Sequence, residues 1–229
     1  IYPHIYKNLP YDPFRDFSPI VMASSLSHGL AVGPMVPSNV KSVKDFVSWC
    51  KSHPDQASYA SPAAGSTPHF LGALLSLNTG VPMTHVAYRG SVPGVTDVIR
   101  GQIAAMFTPH GDFLANHRAG KLRMLAVGSP KRSPLFPDVP TLDEAGLKGF
   151  DADSWFGFYA PAGTPGEIVT RMNRDISGAV QDARTAKLLV DAGVTPETMS
   201  PQELAALMRK DAETFRDIVV KGGIKPQAL

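Results

Sequence analysis

The sequence of 229 residues contains a single cysteine, no long hydrophobic run and no marked excess of charge of either sign. Because a disulfide needs two thiols, the lone Cys50 excludes internal disulfides. Cys50 falls on a predicted helical face with Val43, Phe46 and Val47, which favours core packing over a role as a nucleophile. No stretch is long and apolar enough to span a membrane, so we expect no direct insertion into a bilayer.

The charges are nearly balanced, with 22 Lys and Arg residues against 20 Asp and Glu residues and a formal net charge of +2. A nucleic-acid-binding surface is usually marked by a basic run or by basic residues among aromatic ones. The sequence has neither, so we expect no nucleic-acid partner. A hydrophobic share of 43% with 18% charged residues is typical of a folded chain with a real core, in one large domain or two small ones.

The motifs of common catalytic and metal centres are also missing. His69, His85, His110 and His117 lack the HExxH spacing of a zinc site, and Cys and His residues form no cluster in the sequence. Gly-x-Ser-x-Gly is absent, and residues 163–166 (GTPG) lack the lysine of a phosphate-binding loop. We therefore expect no metal, no cofactor and no enzyme activity, and we interpret His69 as structural or as the edge of a cleft.

The middle of the chain alternates between strand and helix patterns. Strands are predicted over residues 58–61, 84–88, 105–108 and 123–127, and helices over residues 68–78, 92–100 and 111–118. This βαβαβαβ order is the signature of a parallel sheet with helices on its faces, so we predict an α/β fold.

The flanking segments are less regular. Strands are predicted over residues 17–23, 30–36 and 155–160, and residues 129–153 are mostly irregular with a short helical piece near 142–145. Three capping boxes predict helix starts after Ser42, Thr164 and Ser200, because a Ser or Thr is followed three residues later by an acidic residue.

The stretch from Tyr59 to His69 (YASPAAGSTPH) is the most informative part of the chain. A short apolar run leads into a loop of small residues, where Thr67 can cap a helix and Pro68 can occupy its first position. Such a loop directs free backbone N–H groups at the space above the helix start, which is a favourable place for an anion. The alternative is a tight strand-to-helix turn, in which Gly65 and the alanines only let the chain reverse.

The order of motifs along the chain resembles the substrate-binding receptors of tripartite tricarboxylate transporters, the TctC or Bug family. The motifs that carry the resemblance cover nearly the whole chain. They are residues 6–13 (YKNLPYDP) with Asp16-Phe17, residues 59–69, residues 88–91 (YRGS) with Asp97 and residues 101–103 (GQI), and residues 120–127 (GKLRMLAV), 136–141 (FPDVPT) and 155–165 (WFGFYAPAGTP).

This resemblance implies a two-lobed α/β fold of the periplasmic-binding-protein type II kind. The first lobe would comprise residues 1–33 and 156–229, the second residues 34–155, with hinge crossings near 30–36 and 155–161. Family members begin with further strands and helices, whereas this chain opens at Ile1 with no initiator Met or signal peptide. We therefore expect a complete second lobe, a first lobe truncated at its N-terminus, and a chain that has been processed or is a fragment.

The resemblance further implies a periplasmic receptor that captures a small carboxylate and delivers it to membrane transporter subunits. The predicted second-lobe anion site comprises Ser61, Ala64, Gly65, Ser66 and Thr67. A second loop at the same sheet edge would add Arg89 and Gly90, and the end of the next strand would add Thr108.

Two of the predicted contacts have alternatives. Arg89 could instead be a solvated loop residue, and Trp155, placed in the wall of the cleft, could instead belong to the core of the hinge. The receptor interpretation also has alternatives: a two-lobed α/β enzyme acting on a small anion, or a ligand sensor for a signalling partner. The ligand class stays open between di- or tricarboxylates, amino acids and aromatic acids.

Overall fold

The computed structural model describes residues 1–147 and 153–221, and it divides them into two units. Unit 1 comprises Ile1–Leu26 and the described residues from 154 onward, and unit 2 extends from Ser27 to Asp153. The predicted second lobe includes residues 148–152 and the predicted first lobe includes residues 222–229, and both segments lie outside the described residues.

The helices and strands alternate through both units. In chain order they are α1 (Tyr2–Ile5), β1 (Phe17–Leu26), β2 (His28–Val32), α2 (Val43–Ser52), β3 (Ser58–Ser61), α3 (Thr67–Thr79), β4 (Thr84–Ala87), α4 (Ser91–Ile99), β5 (Ala105–Pro109), a 3₁₀ turn (His110–Phe113), α5 (Leu114–Arg118), β6 (Arg123–Val127), β7 (Ser154–Pro161), α6 (Gly166–Gln181), α7 (Ala183–Asp191), β8 (Thr195–Pro196) and α8 (Pro201–Lys221).

The sheet of unit 2 has the strand order β4-β3-β5-β2-β6. β3 pairs in parallel with β4 and with β5, whereas β2 pairs antiparallel with both β5 and β6. The four strands of the predicted βαβαβαβ run share one direction, as predicted, but β2 lies antiparallel between two of them, which the prediction did not include. The five residues of β2 are all buried, so its backbone groups need ladder partners on both sides, and the place between β5 and β6 supplies them.

This pairing also explains where the chain divides. The first boundary falls between Leu26 and Ser27, before the predicted crossing at 30–36, because β2 is paired on both sides within unit 2. The second boundary falls between Asp153 and Ser154, just before the predicted crossing at 155–161. The hinge role of these crossings stays a prediction.

The sheet of unit 2 is buried on both faces. Neighbouring residues of β5 enter different clusters of buried side chains, Met106 one and Phe107 the other, as alternate residues of a strand must. Cys50 lies fully buried in the cluster of Phe107, and burial raises the pKa of its thiol to about 12, which confirms core packing. Packing on both faces holds the strand ends, from which the candidate site is built, in fixed positions.

Unit 1 is built around a long antiparallel pair. β1 pairs with β7 from Phe17↔Pro161 to Leu26↔Ser154, and β8 adds a two-residue ladder on the other side of β1. The helices α6 and α8 pack against β1. The Asn173 amide of α6 donates to the carbonyl of Ile20 at 2.8 Å and ties that helix to the strand.

Two of the three predicted capping boxes are confirmed. Ser42 exchanges hydrogen bonds with Asp45 at the start of α2, and Ser200 does so with Glu203 before α8. The third is wrong, because the Thr164 hydroxyl donates to the carbonyl of Pro161 at 2.7 Å and no side chain caps α6.

Three smaller expectations also need correction. Ser66 rather than Thr67 caps α3, because Ser66 has the extended backbone of a cap and its hydroxyl accepts from the His69 N–H. The helix predicted at 111–118 is divided into the 3₁₀ turn and α5. The helical piece near 142–145 is a hydrogen-bonded turn, closed by the Glu144 N–H donating to the Thr141 hydroxyl at 3.0 Å.

Within residues 1–147 and 153–221, none of the helices combines the length and the apolar character needed to cross a bilayer.

Candidate functional site

Two loops meet at the carboxyl edge of the parallel strands in unit 2. The first loop, residues 61–67, joins β3 to α3, and the second loop, residues 88–91, joins β4 to α4. The Tyr88 N–H donates to the Ser61 carbonyl at 2.9 Å, and the Gly90 N–H donates to the Pro62 carbonyl at 2.8 Å. Because ligands of open α/β sheets bind beyond the carboxyl ends of the strands, this paired rim is the candidate site.

Most polar groups of the first loop bond within the loop or to its own helix. The Ala63 carbonyl accepts from the Ser61 hydroxyl at 2.9 Å, from the Ser66 hydroxyl at 2.7 Å and from the Ser66 N–H at 3.4 Å. The Gly65 N–H donates to His69 Nδ1 at 3.0 Å. Three of the predicted contact residues therefore direct these polar groups inward: Ser61, Gly65 and Ser66.

Ala64 presents both of its backbone polar groups outward. A trans peptide places its C=O and N–H on opposite sides, so an inward Ala63 carbonyl turns the Ala64 N–H outward. By the same rule the inward Gly65 N–H turns the Ala64 carbonyl outward. The Ala64 N–H has no acceptor among the described residues, and Ala63 and Ala64 are both exposed.

This geometry depends on a glycine at position 65. Gly65 has a φ of 72°, the positive value that the third position of a type II turn requires and that side chains disfavour. The outward N–H and carbonyl of Ala64 form a donor–acceptor pair. Such a pair suits a carboxylate oxygen accompanied by a water or by a ligand hydroxyl.

The second loop leaves its helix start open. Gly90 occupies the position before α4 with a φ of 101°, and no side chain caps the helix there. The exposed Arg89 forms no ion pair or side-chain hydrogen bond with any described residue. A helix start without a cap and an adjacent guanidinium both favour an anion.

Thr108 anchors the second loop. Its fully buried hydroxyl lies 2.9 Å from Asp112 Oδ2 and 2.8 Å from the Ser91 hydroxyl. Because one hydroxyl carries one proton, the Asp112 carboxylate accepts from Thr108, whose oxygen accepts from Ser91. Thr108 therefore connects the end of β5 to the first residue of α4, so its hydroxyl is already engaged within the protein.

Two histidine rings stack beside the first loop. The ring centroids of His69 and His85 lie 3.8 Å apart with planes 10° from parallel, and His85 Nε2 lies 2.7 Å from the Ser61 hydroxyl. The buried Tyr59 donates its hydroxyl to the His69 carbonyl at 3.0 Å. Burial lowers the pKa of His69, and burial together with the neighbouring His69 lowers the pKa of His85 to about 4.

The sequence interpretation missed His85 and the partner that His69 contacts. The only local signal was position, because His85 lies three residues before Tyr88 and His69 ends the small-residue stretch. Their stacking depends on the pairing of Tyr59 with His85 across β3 and β4, which no local pattern reveals.

Two predicted contacts remain, Thr67 and Trp155. Thr67 ends the first loop as the buried first residue of α3. Trp155 belongs to unit 1, where its indole N–H donates to Asp211 Oδ2 at 2.7 Å and burial raises the pKa of that carboxyl. A role for Trp155 in ligand binding stays a prediction. In the described part of the chain, no three His, Cys, Asp or Glu side chains come together in a group that could hold a metal ion.

Comparison with known proteins places this chain in a family. The family model described as "Tripartite tricarboxylate transporter family receptor" matches residues 1–224. A UPF0065 protein from the tcbD-tcbE intergenic region of Pseudomonas sp. (strain P51) is 33% identical over 94% of this chain. The chain spans 64% to 66% of the length of such curated relatives.

Solved structures show the same fold. R. palustris Rpa4515 with adipate has a TM-score of 0.88 and 31% identity, and the match covers 99% of this chain and 75% of that one. MatC (Rpa3494) from Rhodopseudomonas palustris with bound malate has a TM-score of 0.82 and 29% identity, covering 94% of this chain and 74% of that one. These likenesses confirm the predicted α/β fold of the periplasmic-binding-protein type, and with the match over residues 1–224 this chain belongs to the tripartite tricarboxylate transporter receptor family.

Proposed function

We propose that this protein is a receptor that binds a small carboxylate and releases it to a membrane transporter. The family description names a transporter receptor, and two similar solved structures carry adipate and malate. Both ligands are short dicarboxylates. We therefore propose a dicarboxylate of about this size as the first ligand class to test, ahead of tricarboxylates, amino acids and aromatic acids.

The observation that carries this proposal is the rim formed by the two loops. The outward Ala64 N–H, the start of α4 without a cap after Gly90 and the exposed Arg89 all favour a negative charge. Of these three groups only Arg89 carries a full charge; the Ala64 N–H and the start of α4 carry partial positive charges. A site of this kind binds an anion without a buried countercharge, which suits a receptor that must release its ligand.

The predicted contact residues divide into two proposed roles. Residues with outward groups would contact the ligand directly: Ala64, Arg89 and Gly90. Residues whose polar groups are engaged within the rim would hold it in shape: Ser61, Gly65, Ser66 and Thr108. We retain Thr67 and Trp155 as proposed further contacts, to be tested by substitution.

The finer proposal concerns place and partner. We propose that the protein acts in the periplasm, with the membrane subunits of a tripartite transporter as its partners, and that it carries out no chemical reaction on its ligand. NMR spectra of adipate incubated with the protein should then show the ligand unchanged. Conversion of the ligand would instead favour the enzyme alternative.

The test of the proposal is thermal unfolding in the presence of adipate, malate, succinate and citrate. A ligand that binds only the folded state at one hundred times its Kd adds about 2.7 kcal/mol, which raises the midpoint by several degrees. The control ligand is 1,6-hexanediol, which has the carbon chain of adipate without its charges. Succinate and malate differ by one hydroxyl, so a larger shift with malate would support the use of the Ala64 donor–acceptor pair.

If no carboxylate shifts the midpoint of the folded protein, or if 1,6-hexanediol shifts it as much as adipate, carboxylate recognition is overturned.

A further inference from the structure

Two stacked imidazoles connect α3 and β4 beside the first loop, and each touches a different part of that loop. His69 Nδ1 lies 3.0 Å from the Gly65 nitrogen, and His85 Nε2 lies 2.7 Å from the Ser61 hydroxyl. The centroids of the two rings are 3.8 Å apart, and the ring planes are nearly parallel. The pair thus contacts the loop on both sides of the peptide that joins Ala63 to Ala64.

The hydrogen-bond partners assign the protons of both rings. The Gly65 N–H is a donor, so His69 Nδ1 must offer a lone pair and its proton sits on Nε2. The Ser61 hydroxyl donates its one proton to the Ala63 carbonyl, so it must accept from His85 Nε2–H. His69 is therefore neutral with its proton on Nε2. His85 carries a proton on Nε2, and because its pKa is lowered to about 4 it is also neutral near pH 7.

These bonds determine which backbone groups face outward. His85 directs the Ser61 proton toward the Ala63 carbonyl and holds that carbonyl inward, which turns the Ala64 N–H outward. His69 holds the Gly65 N–H inward and keeps the next peptide from rotating. We propose that His69 and His85 are positioning residues that hold the first loop with the Ala64 N–H presented to the carboxylate, an inference that rests on the proposed function.

The surroundings of the pair favour the neutral rings. β3 contributes the buried Tyr59, whose pKa is raised by burial, and α3 and β4 contribute no charged side chain. No carboxylate acts on either ring, so burial lowers the pKa of His69, and burial with the adjacent ring lowers that of His85 to about 4.

The neutral histidine pair makes the stability of the folded protein depend on pH. Unfolded histidine binds its proton near pH 6.5, and the folded pair binds it only at lower pH. Protonation therefore favours the unfolded chain between pH 6.5 and about 4. Stability contributed by the neutral pair is complete above pH 6.5 and declines as the pH falls through this window.

The first experiment needs no ligand. Long-range ¹H–¹⁵N spectra report the tautomers of His69 and His85, and the Gly65 amide resonance reports its bond to Nδ1. In the wild type, the Gly65 resonance should move with the protonation of His69. In His69→Asn, whose side-chain oxygen lies near the position of Nδ1 and does not titrate, it should stay constant over the same pH range.

The second experiment measures adipate affinity at pH 7.5 in matched variants. We expect His69→Ala and His85→Ala to weaken binding about tenfold, because each loses one bond that orders the loop before binding. The conservative variants His69→Asn and His85→Gln keep an acceptor near Nδ1 and a donor near Nε2, and they should bind within about threefold of wild type. His53→Asn is the control, because His53 is the C-cap that follows α2 and contacts Trp49.

The outcomes separate the two proposals. The positioning role is overturned if the folded His69→Ala and His85→Ala variants bind adipate as tightly as wild type. It is also overturned if the Gly65 amide resonance does not move when His69 is protonated. If His69→Asn and His85→Gln lose as much affinity as the alanine variants, the role is also overturned, since shape alone would then explain the loss. If wild type binds none of the carboxylates while the Gly65 amide resonance moves with the protonation of His69, the receptor proposal fails.

Discussion

The first and second loops follow neighbouring parallel strands of one sheet, yet they satisfy their backbone groups in opposite ways. The first loop caps its helix with Ser66 and bonds Gly65 to His69, and Ala64 presents an outward N–H. The second loop has no side-chain cap, and Gly90 and Arg89 leave the start of α4 open. Small residues alone do not make an anion site, because their donors can be consumed within the loop.

The two helices that follow these loops differ in the side chain against which each one packs. A Cβ added at Gly72 of α3 would lie 2.0 Å from the buried ring of Tyr59, which is bonded to the carbonyl of His69. A Cβ added at Gly94 of α4 would lie 2.8 Å from the methyl end of Met106. The helix after the first loop therefore packs against a rigid aromatic ring, and the helix after the second loop packs against a flexible side chain.

The largest loss of stability is expected when a substitution disrupts the rigid contact between α3 and Tyr59. Gly72→Ala should lower the free energy of unfolding by about 3 kcal/mol, because the Tyr59 ring is buried and has no room to move. Gly94→Ala should cost less, about 1 kcal/mol, since Met106 is buried as well but its unbranched end is flexible and can turn aside, and alanine favours the helix. Urea unfolding of both variants makes the comparison, and equal losses would contradict it.

The next effect tests the backbone of the second loop. Gly90→Ala should cost about 2 kcal/mol, because its φ of 101° is strained for any side chain although no atom lies within 4 Å of the new Cβ. The control is Gly178→Ala in α6, which has an ordinary helical backbone and open space and should gain up to about 1 kcal/mol. Thermal unfolding midpoints distinguish the two, and a neutral Gly90→Ala would show that the loop adapts.

A smaller effect concerns the charge of the second loop. Arg89→Ala should weaken adipate binding about tenfold at low salt and less at high salt, because an exposed guanidinium is screened. Arg100→Ala removes the same charge at the other end of α4 and should leave affinity unchanged. Titration calorimetry at two salt concentrations provides the measurement. Equal affinity of Arg89→Ala and wild type would favour the interpretation of Arg89 as a solvated loop residue.

The smallest effect tests the cap of the first loop. Ser66→Ala should cost about 1 kcal/mol, because the His69 N–H loses its cap and the Ala63 carbonyl loses a donor. Thr170→Ala removes a hydroxyl that bonds back to Gly166 within α6, and it should change stability by less than about 0.5 kcal/mol. If the two variants unfold at the same urea concentration, the loop does not depend on its own cap.

Much of the fold could be predicted because its signals are local. The strands at 58–61 and 123–127 coincide with β3 and β6, and the boxes at Ser42 and Ser200 form as their spacing indicates. Local signals failed where two residues compete for one role. Ser66 caps α3 in place of the adjacent Thr67, and the Thr164 hydroxyl bonds to the preceding turn.

The sequence by itself determined the family, the α/β fold class and the stretch of small residues at the end of β3, because these depend on residue types and short spacings. The tertiary structure alone decided that β2 runs antiparallel between β5 and β6, and that Ala64 rather than Gly65 presents its N–H. The physical reason is shared: both depend on hydrogen bonds whose partners are brought together by packing. The stacking of His69 on His85, sixteen positions along the chain, is such a contact, and it sets the orientation of the first loop.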